Sequence, residues 1–225
     1  MLLLAADTSG KQGSIALARA GENPGVQVEI IEVVPLVGGT FSAQLVPQIS
    51  ALLEKHGFRK SDIGGFIVAS GPGSFTGLRV GLAAIKALAE VLQKPIATVS
   101  LLEAVALASG KQGRVTTALD AGRGEFYVGE YEVEGGIARA VTERLTTKDE
   151  LLEIAKSAAL ITPDRRVGEM LETSGTRVQM IPAIDAGAIA EIGRKKVARG
   201  ETVSPEHLEA NYIRRSDAEI FSKSL

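Results

Sequence analysis

The sequence predicts an α/β protein made of two related units, each with a mixed sheet and covering helices. Short apolar or alternating runs bounded by Gly, Asn and Pro predict strands, and longer runs with a 3.6-residue apolar period predict helices. A strand that ends in Asp7 has a counterpart that ends in Asp120, about halfway along the 225 residues. A duplicated unit explains this likeness, and chance similarity between two strand–turn–strand segments is the alternative.

The first half of the chain is predicted to follow the order β-β-β-α-β-α. Ser42 is a typical N-cap for the first helix, and Lys94-Pro95 is expected to end the second because a residue that precedes proline disfavours the helical conformation. In chain order we predict strands Leu2–Ala6, Gly13–Arg19 and Val26–Pro35, helix Ser42–His56, strand Gly65–Ser70 and helix Thr76–Gln93.

The second half repeats the strand-rich start and then becomes helical. A division into domains 1–102 and 103–225 places the boundary beside the polar, glycine-containing stretch Ser109–Gly113. In chain order we predict strands Arg114–Leu119, Gly124–Val133 and Ile137–Arg144, helix Thr147–Lys156, strand Ala158–Thr162, and helices Arg165–Thr173 and Asp185–Arg199.

Composition excludes several kinds of chemistry. The chain has no Cys and two His, so a Cys nucleophile, a disulfide and a Cys-based zinc site are impossible, and we predict no metal site. The formal net charge of −2 argues against tight binding of nucleic acid by this chain alone. No stretch approaches ~20 uninterrupted apolar residues, and the apolar N-terminus lacks a cationic lead, so we expect a cytoplasmic protein with no membrane contact.

The segment Ser70–Gly81 joins a predicted strand to a predicted helix. Such a junction can hold an anion on free N–H groups, but the segment lacks both the P-loop and the dinucleotide signatures. An ordinary tight turn is therefore as good an interpretation as a phosphate cradle.

Gly73, Gly77 and Gly81 recur every four residues, and each interior glycine costs ~1 kcal/mol of helix stability relative to Ala. Close approach of another backbone would offset that cost, either from this chain or from a partner.

Asp7 and Asp120 lie in turns at the ends of their strands. Carboxylates there can hold a metal-bound nucleotide or position a water molecule, and they can equally accept N–H bonds within an Asx-turn. Taken singly, each is better explained as a turn residue. We find no nucleophile with a visible base, so no catalytic residue is predicted.

Five segments of the chain, taken together, resemble the TsaB family, also called YeaZ. The resemblance covers nearly the whole length, and its most specific part is Gly-Pro-Gly-Ser-Phe-Thr-Gly. The segments are Ala5–Ser9, Ser42–Pro47, Ser70–Gly81, Ala118–Tyr127 and Tyr212–Glu219.

The resemblance implies a fold and a set of partners. The fold is that of actin, Hsp70 and the sugar kinases (ASKHA). The implied role is a dimerisation or scaffold subunit that binds and activates TsaD, the transferase that completes threonylcarbamoyladenosine next to the tRNA anticodon. TsaE joins as an ATPase, TsaC supplies the adenylate, and tRNA is reached only through the complex. No cofactor is expected on this chain, since ATP or ADP and magnesium belong to the partners.

The resemblance also implies which residues do what. The first two helices form the interface with TsaD, or with a second copy when the chain is alone, and the glycine stripe lets the partner helix approach. On this basis Gly77→Leu or Gly81→Leu should abolish TsaD binding and leave the chain folded. The implied interface residues are Ser42, Gln44, Leu45, Gln48, Gly73, Thr76, Gly77, Val80, Gly81 and Ala84. Asp7, Thr8, Ser9, Asp120 and Gly122 are implied remnants of two phosphate loops.

Two features bear on catalysis. Family members commonly carry His where this chain has Phe41, and the catalytic relative binds its metal through a His-x-x-x-His pair that this sequence lacks. The resemblance therefore implies a non-catalytic subunit. The alternative is an ASKHA-type ATPase or small-molecule kinase that uses Asp7 and Asp120.

Overall fold

The computed structural model describes residues 1–21 and 28–214. The first residues of the predicted strand Val26–Pro35 and most of the segment Tyr212–Glu219 lie outside this range. Within it, no helix is both long and apolar enough to cross a membrane.

The chain forms two compact units. The first contains Met1–Ser100 and Asp185–Asn211, and the second contains Leu101–Ile184 together with the last described residues, 212–214. This division differs from the predicted domains 1–102 and 103–225. The first boundary is close to the predicted one, but the segment from Asp185 onward belongs to the first unit.

Unit 1 is built on a five-stranded mixed sheet. The strand order is β3-β2-β1-β4-β5, in which β1–β2 and β2–β3 are antiparallel and β1–β4 and β4–β5 are parallel. Its strands are β1 (Leu2–Asp7), β2 (Gln12–Arg19), β3 (Glu29–Val37), β4 (Ile63–Gly71) and β5 (Ile96–Ser100). Among the described residues, β1 is buried along its whole length, as its continuous apolar sequence requires.

Unit 2 repeats this topology. The strand order is β10-β9-β6-β7-β8, again with two antiparallel pairs, β6–β7 and β7–β8, followed by the parallel pairs β6–β9 and β9–β10. The strands are β6 (Gly113–Gly122), β7 (Glu125–Glu134), β8 (Ile137–Thr147), β9 (Leu160–Thr162) and β10 (Val178–Met180). The predicted duplication of a β-β-β-α-β-α unit is confirmed.

Six α-helices accompany these strands in the described part of the chain. They are α1 (Phe41–Lys55), α2 (Phe75–Leu92), α3 (Leu101–Ala108), α4 (Lys148–Ser157), α5 (Arg165–Thr173) and α6 (Ala186–Ala198). Short 3₁₀ turns occur at Lys60–Asp62 and Pro205–His207.

The last helix that follows each repeat packs on the sheet of the other repeat. Helix α3 follows β5 in sequence but packs on β6, β7 and β8, and α6 follows β10 but packs on β1, β2, β4 and β5. The contact of α6 is tight, because a Cβ added at Gly193 would lie 2.3 Å from Cγ2 of Ile67. This exchange explains the difference in domain boundaries, since an amphipathic pattern does not say which sheet the apolar face covers.

Candidate functional site

Asp7 closes the first strand-end turn through bonds to its own neighbour. Its Oδ1 accepts the backbone N–H of Ser9 at 2.8 Å and also the Ser9 hydroxyl. Asp7, Thr8 and Ser9 are all buried. Burial raises the pKa of Asp7 from its ordinary value of 3.8, while the bonds from Ser9 lower the pKa and the nearby charge of Asp185 raises it further. The structure therefore gives Asp7 the role of a turn residue.

Helix α2 rests directly on this turn. The backbone N–H of Ser74 donates to the Ser9 carbonyl at 2.6 Å, and the Thr8 hydroxyl donates to the Gly77 carbonyl at 2.7 Å. A Cβ added at Gly77 would lie 2.0 Å from the Thr8 carbonyl oxygen. The helix can approach this closely only because glycine stands at that position.

The glycine stripe is therefore explained by this chain's own turn. A Cβ at Gly73 would lie 2.4 Å from the Ser9 carbonyl oxygen, and one at Gly81 would lie 2.3 Å from Oγ1 of Thr8. The idea that Gly73, Gly77 and Gly81 admit a partner helix is corrected, because this side of α2 already faces the turn. Gly77→Leu and Gly81→Leu would both disrupt the chain's own packing, so the predicted loss of TsaD binding in a folded chain does not follow for either variant.

The start of α2 is likewise used internally. The N-cap Ser74 accepts the N–H of Gly77 on its Oγ at 3.3 Å, and the N–H of Leu78 donates to the Ser74 carbonyl at 2.8 Å. Together with the Ser74–Ser9 bond, these contacts occupy donors that an anion would need. The geometry favours the tight strand-to-helix turn over the phosphate cradle.

The second strand-end turn has the same hydrogen bond in a more open setting. The N–H of Gly122 donates to Oδ1 of Asp120 at 2.7 Å, and both residues are half-buried. Gly122, Arg123 and Gly124 all have positive φ, at 73°, 57° and 78°. Asp120 therefore also serves as an Asx-turn residue.

An arginine near the end of the described chain braces this second turn. The Arg214 guanidinium donates to the carbonyls of Ala121 at 2.9 Å and Gly122 at 3.2 Å, and it pairs with the Glu125 carboxylate. Arg214 lies in the family segment Tyr212–Glu219, and its sequence position predicts no role for it. A lone arginine about 90 positions from its partners carries no local signal of such a contact.

The remaining implied interface residues differ in how far they are exposed. Ser42, Gln48 and Thr76 are exposed, and Gln44, Val80 and Ala84 are half-buried. Leu45 is only 1% exposed and belongs to the core with Ile49 and Leu52, so its assignment to the interface is corrected. Phe41 is also buried, with its ring against Gly13.

Helix α2 nevertheless presents a stripe of small, mostly apolar side chains on its outward side. Its members recur every three or four residues, as one face of a helix does. They are Thr76, Val80, Ala83, Ala87 and Val91, named here the α2 stripe. Val91 is 80% exposed. The neighbouring helix α1, which packs against α2, adds Val46 at 46% exposure and the exposed Pro47.

The described residues contain no group of three or more His, Asp or Glu side chains able to hold a metal ion. The turn carboxylates bond mainly within their own turns, as described above.

Comparisons with known proteins agree in sequence and in structure. Residues 33–210 match the family described as TsaD: tRNA N6-adenosine threonylcarbamoyltransferase. The chain is 30% identical to the tRNA threonylcarbamoyladenosine biosynthesis protein TsaB of Bacillus subtilis, over 97% of this chain and 96% of that protein. It is 28% identical to TsaB of Escherichia coli over the same shares.

Solved structures give the same result. A Pseudomonas aeruginosa protein described as similar to peptidase YEAZ has a TM-score of 0.75 and 26% identity, over 95% of this chain and 99% of that one. YeaZ from Pseudomonas aeruginosa has a TM-score of 0.73 and 25% identity, over 94% and 99%. The ASKHA-like fold and the family resemblance are both confirmed. The chain belongs to the TsaB/YeaZ family of tRNA threonylcarbamoyladenosine biosynthesis proteins, within the group that carries the TsaD domain.

Proposed function

We propose that this chain is a non-catalytic subunit that binds and activates TsaD in the threonylcarbamoyladenosine modification of tRNA. The α2 stripe, together with Val46 and Pro47 of α1, is the binding surface. TsaE joins through the complex, tRNA is reached only through the complex, and nucleotide and magnesium are bound by the partners. In the absence of TsaD, the same surface pairs two copies of this chain in the cytoplasm.

The α2 stripe is the observation that carries this proposal. Its small and β-branched residues lie on the outward side of a helix whose inner side is in the core. Small side chains allow two helices to pack closely, and an exposed apolar helix face is a common binding surface. Arg79, Lys86 and Glu90 are exposed near the stripe and supply a polar rim.

The first strand-end turn supports a non-catalytic role. Asp7 is buried, bonded to Ser9 and held with a raised pKa, and α2 rests on the turn. A nucleotide phosphate would have to displace that helix. This argues against the alternative ATPase or kinase that would use Asp7 and Asp120.

A binding experiment tests the surface. The chain is co-expressed with TsaD from the same genome, and the affinity of the purified pair is measured for Ala87→Arg. A bulky cation in the middle of the α2 stripe should weaken binding at least tenfold, or about 1.4 kcal/mol. Because Ala87 is exposed, the far-UV circular dichroism and the unfolding midpoint should not change.

Ala198→Arg is the matched control, since Ala198 is also an exposed helical alanine of unit 1. It should bind TsaD as the parent chain does. Parental affinity of Ala87→Arg would overturn the proposed surface. In a tRNA modification assay, activity should require this chain, and magnesium-dependent ATP turnover near ~1 s⁻¹ by the isolated chain would overturn the non-catalytic assignment.

A further inference from the structure

We propose that Thr8 is a positioning residue that sets the location of the α2 stripe and thereby the affinity for TsaD. The proposal rests on the proposed function, because it concerns the same binding helix. It assigns the buried turn at the end of β1 a role in partner binding, although the turn itself touches no partner.

The first step is the contact between Thr8 and α2. The Thr8 hydroxyl donates to the Gly77 carbonyl at 2.7 Å in a buried setting. One helical turn further on, Gly81 packs against the same hydroxyl, where an added Cβ would lie 2.3 Å from Oγ1. A single side-chain oxygen therefore both attracts the helix and limits how closely the helix can approach.

The second step is the rigidity of the turn beneath α2. The backbone N–H and the hydroxyl of Ser9 both donate to the Asp7 carboxylate, and the Ser9 carbonyl accepts the N–H of Ser74 at the start of α2. The turn is continuous with β1, which is the central strand of the sheet and is buried throughout. Thr8 thus directly follows the buried central strand of unit 1.

The third step links this contact to the surface. Gly77 and Gly81 lie on the inner side of α2, and Val80 and Ala83 of the α2 stripe lie on the same turns of the helix. A helix moves as a nearly rigid rod, and closely packed interiors transmit small displacements. A shift of α2 at Thr8 therefore displaces the binding surface by a similar amount.

A pair of substitutions tests this mechanism. In Gly81→Ala the new methyl group meets Oγ1 of Thr8 at 2.3 Å but Cβ of Thr8 only at 3.5 Å. Because the Thr8 hydroxyl is bonded to the Gly77 carbonyl in a buried setting, we expect α2 to move outward rather than the hydroxyl to rotate away. Removing the hydroxyl with Thr8→Ala relieves the clash, because 3.5 Å is an ordinary carbon–carbon contact.

The expected affinities for TsaD follow from this geometry. Gly81→Ala should weaken binding at least tenfold, and Thr8→Ala about threefold. The double variant Thr8→Ala/Gly81→Ala should bind like Thr8→Ala alone, so the second substitution rescues the first. Thr8→Ser keeps the hydroxyl and should retain parental affinity.

A stability control separates positioning from general destabilisation. Ile189→Val truncates a fully buried side chain of α6, which belongs to the same unit but is part of neither α2 nor the turn. All affinities are measured well below the unfolding midpoint of each variant. Ile189→Val should keep parental affinity even where its midpoint falls below that of Gly81→Ala.

The outcomes are distinguishable. Parental affinity of Gly81→Ala, or a double variant that binds no better than Gly81→Ala, would overturn the role of Thr8. If Ala87→Arg loses binding while Gly81→Ala retains it, only the Thr8 proposal fails. If Ala87→Arg also binds normally, the proposed binding surface itself fails.

Discussion

The two strand-end turns of this protein have the same local geometry but are held in different ways. In each, an Asp carboxylate accepts the N–H of the residue two positions later, at 2.8 Å in the first unit and 2.7 Å in the second. The first turn is buried under helix α2, whose backbone contacts it directly. The second is half-buried and held by the side chain of Arg214.

This difference shows that two copies of one turn motif can differ in how well they tolerate substitutions. A turn covered by backbone cannot yield without moving a helix, whereas a turn covered by one long side chain can keep its shape with water in place of that side chain. The glycines differ accordingly. Gly77 is required by the closeness of Thr8, and Gly122 by its φ of 73°, with no other described atom within 4 Å of a Cβ at that position.

Replacing one glycine in each unit gives the largest expected contrast. Gly77→Ala forces a methyl group to within 2.0 Å of a backbone carbonyl oxygen and should lower the free energy of unfolding by about 3 kcal/mol. Gly122→Ala introduces only the strain of a positive φ and should lower the free energy of unfolding by about 1 kcal/mol. Urea unfolding of both variants measures the difference, and equal costs would contradict the distinction between the two turns.

Removing the brace of the second turn should have an intermediate effect. Arg214→Ala removes two charge-assisted bonds to carbonyls and a pair with Glu125, and because the site is partly exposed we expect a loss of about 1.5 kcal/mol in the free energy of unfolding. Arg214→Lys should recover only part of this, since an ammonium cannot fork to two carbonyls. Arg139→Ala, whose pair with Glu134 is exposed, should change stability by less than about 0.5 kcal/mol. Equal losses for the two alanine variants would contradict the claim that Arg214 stabilises the second turn.

The smallest expected effect concerns pH. Burial raises the pKa of Asp7 in the folded chain, so the folded state binds the proton more tightly than the unfolded state, and stability falls as pH rises above the ordinary value of 3.8. Asp7→Asn keeps an acceptor for Ser9 and removes this penalty. Its unfolding midpoint should exceed that of the parent at pH 7, by a margin that shrinks toward pH 4.

Asp62→Asn is a control of opposite sign. The backbone N–H of Arg59 donates to the Asp62 carboxylate and lowers its pKa, so Asp62 adds stability above its unfolded pKa that is lost as pH falls. The unfolding midpoint of Asp62→Asn should therefore be lower than that of the parent at pH 7. A midpoint for Asp7→Asn below the parent at pH 7 would contradict the pH argument for the first turn.

The parts of the fold that sequence reasoning found are those with a strong local pattern. The antiparallel strands, helices α1 and α2 and the duplication are visible because apolar residues alternate or recur at helical spacing. Helix α3 was missed because it is apolar on nearly all sides, and five of its eight residues are buried, so it shows no polar face. Strands β5 and β10 were missed as well, and both are short.

The candidate site was only partly visible in the sequence. The exposed residues of α1 and α2 could be placed on helices, but spacing alone did not say which side of α2 is free. The glycine stripe was assigned to a partner, whereas Thr8 and Ser9 of the same chain occupy that side. Arg214 could not be linked to its turn, because the contact joins positions far apart in the chain.

By itself, the sequence determined most of the strands and helices, the Asx-turns at Asp7 and Asp120, the repeat and the family, because each of these depends on residues close together in the chain or on a specific motif. Only the tertiary structure decided which sheet α3 and α6 cover, what the glycines of α2 face and what holds each turn. These outcomes depend on close packing between segments that are distant in the chain. A glycine whose added Cβ would lie 2 Å from another segment cannot be replaced, whereas one at 4 Å can. No local sequence pattern encodes that distance.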